Sequence, residues 1–358
     1  MLKSGDKIGI VGGGQLARML AMAAGRLGFK TVILDPQNNA PAFEFSDQNI
    51  VADYDDPVAL EKLANLTQVI TYEFENVPVS AFDNLKDGTE IHPNTKALAI
   101  SQDRVTEKSF FNNLGIKTAP WFDIILPNIL DKGLKESGGK GILKTRRFGY
   151  DGKGQCRVDA TQLESVAEAK KLSQETPCIL EGFIEFDREI SIIAARSTTG
   201  EIKTFDIAEN VHRDGILHTS TVPAKIEEKT EKLAIEIAHK TLTELDYVGV
   251  MGIEFFVNPD GGLMVNEFAP RVHNSGHWTE AACVTSQFEQ HIRAVAGLPL
   301  GNPDRHSDCV MENLIGSDVE KCPEILKEND TLLHLYGKAE TRAGRKMGHF
   351  TKISPKTG

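Results

Sequence analysis

Apolar positions along this chain follow two periods. In the N-terminal part, Lys7–Val11 reads as a short apolar strand. Gln15–Leu27 reads as a helix, with Leu16, Met19, Leu20, Ala23 and Leu27 on one face. Thr31–Leu34 is a second strand, Pro57–Leu66 a helix, and Gln68–Tyr72 and Glu90–His92 two further strands. Short apolar strands alternating with amphipathic helices predict an open, doubly wound parallel sheet with helices on both faces. Gln102–Leu114 predicts another helix. Beyond it, Pro120, Pro127 and Gly138-Gly139-Lys140-Gly141 mark a change of organisation. Strand Ile142–Thr145, a glycine-rich loop Phe148–Gln155, helix Ala160–Ser173 and strand Cys178–Ile184 form a small α+β unit. Antiparallel strands Glu189–Ala195, Ile202–Ile207 and Ile216–Pro223 follow, then helix Lys229–Leu245, strands Val248–Val257 and Leu263–Phe268, helix Ala281–Ala296, and short strands towards the C-terminus.

The pattern is broken most informatively at Glu254 and Glu267. They lie on the two strands joined by Asn258-Pro259-Asp260-Gly261-Gly262, and Asp-Gly is a hairpin signal. A two-residue turn at Asp260-Gly261 sets residue 257 opposite 264, 255 opposite 266, and 254 opposite 267. Pro259 cannot donate to the ladder and so allows a one-residue slip. Two carboxylates directly opposite on an apolar hairpin repel each other. A divalent cation removes that conflict, and hard oxygen ligands suit Mg²⁺. Taken alone, the pair is better read as two solvated carboxylates on an exposed sheet face; the residues around it change the balance.

A chain of 358 residues is long enough for two or three domains. Its formal charge of −11 argues against general nucleic-acid binding. The cations are concentrated in two places: Lys144, Arg146, Arg147 and Lys153, and the segment from Lys338 onward, which holds six Lys/Arg and one acid, Glu340. Such clusters suit small anions. The five cysteines (Cys156, Cys178, Cys283, Cys309, Cys322) show no CxxC spacing, which points to reduced thiols and no zinc site. Met1 leads almost directly into a strand, with no signal peptide, and no apolar run approaches a membrane span; a cytoplasmic location with no membrane partner is expected.

Gly12-Gly13-Gly14-Gln15-Leu16-Ala17 matches GxGxxA between strand and helix, and Asp35 ends the next strand. This predicts a phosphate or nucleotide near Gly12–Gln15 and, more weakly, NAD. The loop from Lys144 to Gln155 is more specific. It carries three glycines and four cations in twelve residues, enough backbone freedom and charge to wrap a phosphate chain. It is not a P-loop. Asn266-Glu267-Phe-Ala-Pro-Arg271-Val-His273-Asn274-Ser275-Gly276-His277 continues from the second carboxylate as a polar loop at a strand end. Arg271 is able to grip a phosphate or carboxylate. His273 and His277 are possible metal ligands without an evident third soft ligand. Glu73 and Glu75 end a parallel strand, where open sheets bind ligands. No Ser-His-Asp or Cys-His set stands out.

Lys144, the Gly149–Gln155 loop, Glu181, Glu189 and the Glu254/Asn266-Glu267 hairpin resemble the ATP-grasp superfamily in order and spacing. YEFENV (72–77), QDR (102–104), KTRRFGYDGKGQ, AENVH (208–212), NEFAPRVHNSGHWT, GGGQLARM and HLYGKAETRAGRKMGH (334–349) are together similar to the N5-carboxyaminoimidazole ribonucleotide synthase family of purine biosynthesis. The likeness spans essentially the whole chain. It implies an N-terminal doubly wound domain (1–103), an ATP-grasp lid with its linker (104–187), and a C-terminal antiparallel α+β domain with a small terminal subdomain (188–358). It also implies ATP- and bicarbonate-dependent carboxylation of 5-aminoimidazole ribonucleotide in a homodimer.

By the same resemblance, Arg104, Lys144, Gly149, Tyr150, Asp151, Gly152, Lys153, Gly154, Gln155 and His212 surround the ATP phosphates. Glu181, Gly182, Phe183 and Ile184 meet adenine, and Glu189 the ribose. Asn266 and Glu267 complete the nucleotide site, with Glu254 and Glu267 holding Mg²⁺, or Mn²⁺ in its place. Arg271, Lys153 and Asp151 take catalytic roles. Gly14, Gln15, Leu16, Glu73, Tyr150, Asp151, Arg271, His273, Asn274, Ser275, Lys338, Arg345 and Lys346 receive the ribotide. Three alternatives remain at this level: another ATP-grasp ligase, an NAD-dependent oxidoreductase using Gly12–Ala17 and Asp35, and a non-enzymatic nucleotide sensor.

Overall fold

The computed structural model describes residues 1–83, 85, 88–149 and 153–357. Tyr150, Asp151 and Gly152, expected in the site, lie outside them. The N-terminal part runs β1 (Lys7–Val11), α1 (Gln15–Arg26), β2 (Lys30–Asp35), β3 (Gln48–Val51), α2 (Pro57–Leu66) and β4 (Val69–Tyr72). All pairings are parallel, in the order β3-β2-β1-β4. Alternation along the strands splits their side chains between two layers. Ile8, Ile10 and Ile33 pack with Leu20 of α1, whereas Val32 and Leu34 pack with Leu60 and Leu63 of α2. Glu90–His92 is not a strand: Ile91 makes one isolated bridge to Ile70, and Pro93 has no N–H to continue the ladder.

A separate helix, α3 (Thr95–Ser101), comes next. The helix expected over Gln102–Leu114 follows it as α4 (Arg104–Asn113), shorter by two residues at its start because the Asp103 carboxylate caps it, accepting from Val105 and Thr106 N–H. Next comes an antiparallel sheet, ordered β5-β8-β6-β7, with its helices: β5 (Trp121–Ile124), α5 (Pro127–Glu136), β6 (Lys140–Thr145), β7 (Gln155–Asp159), α6 (Leu163–Glu175) and β8 (Cys178–Gly182). Sequence pattern missed β5 and α5 because prolines punctuate them. Pro127 is tolerated because it lies in the first helical turn.

The third sheet holds β9 (Arg188–Arg196), β10 (Ile202–Thr204), β11 (Ala208–Arg213), β12 (Ile216–Val222), β13 (Gly249–Val257) and β14 (Leu263–Ala269). Helix α7 (Glu228–Glu244) covers one face, placing Ala234, Ala238 and Leu242 against Ile192, Met251 and Ile253. The expected helix Ala281–Ala296 is broken into α8 (Thr279–Ala282) and α9 (Gln287–Val295). Cys283 leaves the helix to bridge Arg305, and Ser286 caps the restart through Glu289 N–H. β15 (Ser307–Ile315), α10 (Cys322–Ile325), β16 (Thr331–Leu335) and β17 (Lys346–Pro355) follow. Their strands extend the same sheet to the order β14-β13-β9-β11-β12-β15-β17-β16, with β10 beside β9. Helix α9 packs between α1 and β13, so Phe288, Ile292 and Val295 share a core with Met19 and Leu20. This packing brings the carboxyl end of β4 to the face of β13 and β14.

Candidate active site

Glu254 pairs directly with Glu267, as expected, but by an unexpected route. Phe255 faces Val265 and Val257 faces Leu263, one residue away from the register of a two-residue turn. The Asn258–Gly262 loop is longer: Asn258 N–H donates to Gly262 C=O and Gly261 N–H to Asn258 C=O. A β-bulge after Glu254 then absorbs the extra residue of β14. Val265 and Phe268 therefore enter the core while Asn266 and Glu267 both line the cleft. The Asn266 side chain hydrogen-bonds Glu254.

The two carboxylates are pushed apart in acidity. Burial, and next the charge of Glu267, raises Glu254. Enclosure in the cleft would raise Glu267 too, but Arg104, donating to its Oε2 at 2.9 Å, holds it below the usual range. His273 Nε2 lies 3.6 Å from Glu254 Oε1. Burial, and then the nearby Arg271 charge, lowers His273 to about 3 and keeps it neutral. Its Nδ1 meets Ser275 Oγ at 2.8 Å, at the head of a buried chain through Ser191, Asn210 and Ser220. Two facing carboxylates with an amide oxygen beside them form a hard donor set. Such a set would suit a divalent cation. Among the described residues neither His273 nor His277 joins a group of three or more metal-ligating side chains; the group found is Glu280, His334 and His349, whose two rings stack 13° from parallel.

These carboxylates line a cavity of about 650 Å³ that gathers most of the expected site. On the lid side are Arg104, Lys144, Gly149, Lys153 and Gln155, with Glu189, His212 and Asn266 opposite. Lys144 Nζ donates to Glu181 Oε2 at 2.7 Å, and Lys108 Nζ stands 3.4 Å from Glu181 Oε1. Burial would raise Glu181, yet these lysines hold it down at about 2. The Glu181 side chain is thus a buried counter-ion; any adenine contact there falls to the backbone. Glu189 Oε2 lies 2.8 Å from His212 Nδ1. Gly154, Gly182, Phe183 and Ile184 do not line the cavity, and Phe183 is half exposed.

The acceptor side joins Gln15, Leu16, Glu73, Arg271, His273, Asn274 and Lys346. Arg271 Nε binds Glu75 Oε2 at 2.5 Å. Ser275 is fully buried behind His273. Lys338 Nζ donates to the Lys346 carbonyl at 2.7 Å, and Arg345 is half-buried with its guanidinium on the Glu340 carbonyl. Gly14 lies beneath the lining. Its N–H donates to Glu73 Oε1 at 2.5 Å, and Ala17 N–H donates to Glu73 Oε2 at 2.9 Å. The protein's own carboxylate therefore occupies the N-terminus of α1, where a dinucleotide phosphate would sit. Gly12 and Gly14 are needed for this: a Cβ would fall 2.4 Å from Glu73 Cγ at Gly12 and 2.6 Å from Glu73 Oε1 at Gly14. Asp35 is also engaged, by Gly13 N–H and Tyr54 OH. The glycine turn packs carboxylates of this chain, which removes the structural ground for an NAD site.

Several participants were not assigned from sequence. Glu75 was noted at a strand end without a role and is the partner of Arg271. Gln102 donates to the carbonyls of Glu75 and Val77. Arg146 leaves the phosphate loop to bind Asp103 and Asp123. Glu107 and Lys108 touch the glutamate hairpin from α4. Their spacing after Arg104 was the available signal, since positions three and four apart share a helix face.

Comparison with known proteins agrees with this layout. Residues 5–102 match the ribonucleotide synthetase preATP-grasp domain, 109–288 the ATP-grasp domain, and 309–358 the phosphoribosylaminoimidazole carboxylase C-terminal domain. The chain is 61% identical to N5-carboxyaminoimidazole ribonucleotide synthase of Brucella melitensis over 99% of this chain and 98% of that protein. It is 44% identical to the Bacillus subtilis protein of that name, over 97% and 91%. Among solved structures, the Staphylococcus aureus N5-carboxyaminoimidazole synthetase complexed with ADP superposes with a TM-score of 0.94, at 37% identity over 99% of this chain and 94% of that one. The Aspergillus clavatus N5-carboxyaminoimidazole synthase in complex with ADP and 5-aminoimidazole ribonucleotide gives 0.92, at 29% identity over 98% and 94%. An ATP-grasp fold, a facing glutamate pair and full-length identity at this level lead to one conclusion: the chain is an enzyme, a ligase, and belongs to the N5-carboxyaminoimidazole ribonucleotide synthase family.

Proposed function

We propose that this enzyme carboxylates 5-aminoimidazole ribonucleotide with bicarbonate and ATP, giving N5-carboxyaminoimidazole ribonucleotide, ADP and phosphate. One observation carries the reading beyond family membership. A single cavity joins a cationic, glycine-bordered side (Lys144, Gly149, Lys153) to an acceptor side (Arg271, Asn274, Lys346), with Glu254 and Glu267 between them.

The residues divide the work. Lys144, Lys153 and Arg104 neutralise the ATP phosphates, and Glu189 meets the ribose. Glu254 and Glu267 would hold Mg²⁺, or Mn²⁺, which when bound supplies positive charge against the β- and γ-phosphates. A bicarbonate oxygen attacks the γ-phosphorus, ADP leaves, and carboxyphosphate forms. The exocyclic amine of the ribotide then takes the carboxyl carbon, from carboxyphosphate or from the CO₂ it releases. A C–N bond forms, the amine gives up a proton, and phosphate departs. Arg271, fixed by Glu75, faces the anionic intermediate. Lys346 and Asn274 receive the ribotide phosphate end. Closing the lid sheet over the loop keeps water from carboxyphosphate. The family resemblance adds the expectation of a cytoplasmic homodimer, which sedimentation of the purified protein tests.

The decisive assay is ADP formation with Mg²⁺, bicarbonate and 5-aminoimidazole ribonucleotide, each omitted in turn. Full turnover is expected only with all three present. ADP release indifferent to the ribotide, or NADH binding without ATP binding, overturns the assignment.

A further inference from the structure

β14 is the outermost strand of the large sheet. Backbone groups on its far side have no neighbouring strand and need other partners. They find them in α4 and the chain that leaves it. Val265 N–H donates to the Lys117 carbonyl at 2.8 Å. Lys108 Nζ donates to the Asn266 carbonyl at 2.6 Å. Phe268 N–H donates to Glu107 Oε1 at 2.7 Å. The two side-chain bonds fall on either side of Glu267, within the bulged segment. A bulge interrupts the ladder, so pairing with β13 alone leaves this segment under-determined. Glu107 and Lys108 are themselves 2% and 0% exposed. Polar and ionisable groups buried this deeply are costly unless they are matched. A plain apolar contact would cover the strand edge more cheaply, but it would not satisfy these two backbone groups.

We infer that Glu107 and Lys108 are positioning residues for the metal pair. They clamp Asn266–Phe268 from the open edge, so that the bulge keeps Glu267 facing Glu254. Arg104 belongs to the same helix face and binds the Glu267 side chain itself, which makes α4 the element that places both the backbone and the carboxylate of Glu267. The inference rests on the metal role proposed above for Glu254 and Glu267.

Two readouts test it: Mn²⁺ binding in the presence of ADP, followed by the spin-resonance signal of free Mn²⁺, and the Mg²⁺ dependence of ADP formation. Glu107→Met removes the acceptor for Phe268 N–H and is expected to weaken Mn²⁺ binding by about 10–100-fold, the usual effect of losing a residue that orients a ligand. Glu107→Gln keeps an acceptor oxygen and is expected to restore the affinity. Lys108→Met withdraws the other bond while leaving Lys144 on Glu181, and is expected to shift Mn²⁺ affinity in the same direction. A purely structural role would lower the melting temperature of these variants and leave the metal affinity of the folded fraction unchanged; that result overturns the inference. Glu267→Gln is the control. If it does not weaken Mn²⁺ binding, the metal reading itself fails. If it does, while Glu107→Met and Lys108→Met do not, only the clamp falls.

Discussion

Arg104 donates to Glu267 Oε2 at 2.9 Å and, through its other terminal nitrogen, to the Gly149 carbonyl at 3.3 Å. One guanidinium thus links a carboxylate of the facing glutamate pair to the glycine-rich loop. On the proposed function, a cation or phosphate entering the cleft would compete for the ends of this link.

The first prediction concerns the carboxylate in that link. Glu267→Gln removes one of two facing negative charges and keeps the shape of the side chain. ATP turnover is expected to be lost, with a melting temperature close to that of the parent because relief of the repulsion from Glu254 offsets the weakened bond to Arg104. Near-normal ADP release at saturating Mg²⁺ would refute the metal assignment.

Glu107 carries the pH prediction. Burial, and next the charge of Glu267, pushes its carboxyl up to about 8 from 4.5. Between those values the folded chain holds a proton that the unfolded chain has released. Stability from this group is complete below 4.5 and is lost as pH rises towards about 8. Melting curves of metal-free protein across that window should therefore fall more steeply for the parent than for Glu107→Gln, which has no proton to release. Parallel curves would show that Glu107 is ionised in the folded state.

Breaking the buried triad at Glu181 tests stability. Glu181→Ala leaves Lys108, fully buried, and Lys144, half-buried at the cavity wall, without their shared counter-ion. Removing one partner of a buried pair costs about 3–5 kcal/mol, and urea unfolding should register a loss of that order. A change below about 1 kcal/mol would mean that solvent reaches the lysines.

The acceptor side separates three cations that look alike in sequence. Lys346 lines the cavity, Lys338 braces its carbonyl, and Arg345, outside the lining, donates to the Glu340 carbonyl. Lys346→Ala is expected to raise the ribotide KM roughly ten- to a hundredfold, as loss of a charge-assisted contact does. Lys338→Ala should have a smaller effect and Arg345→Ala the least. The reverse order in steady-state kinetics would move the phosphate site to the Arg345 turn.

Much of the site was legible because its residues sit at strand ends and in one glycine-rich loop, where local pattern and chemistry coincide. Lys144, Glu189, Glu254, Asn266, Glu267 and Arg271 were all named from sequence and line one cavity. The GxGxxA turn was read less well. Glycine there permits close approach, but sequence does not say by what, and the visitor is Glu73, fifty-nine residues away from Gly14.

Sequence alone determined the parallel N-terminal sheet, the antiparallel remainder and the placing of Glu254 and Glu267 on the two strands of one hairpin, since period, turn residues and charge are local properties. Tertiary structure decided the rest. The bulge that makes the pairing possible depends on loop length beyond Asp260-Gly261 and on α4 holding the strand edge. The state of each charge depends on partners far away in the chain: Arg104 for Glu267, Glu75 for Arg271, Lys144 and Lys108 for Glu181. Hydrogen bonds and ion pairs act over a few ångströms of space, whatever the sequence distance, so the pattern shows which groups are present and only the fold shows which ones meet.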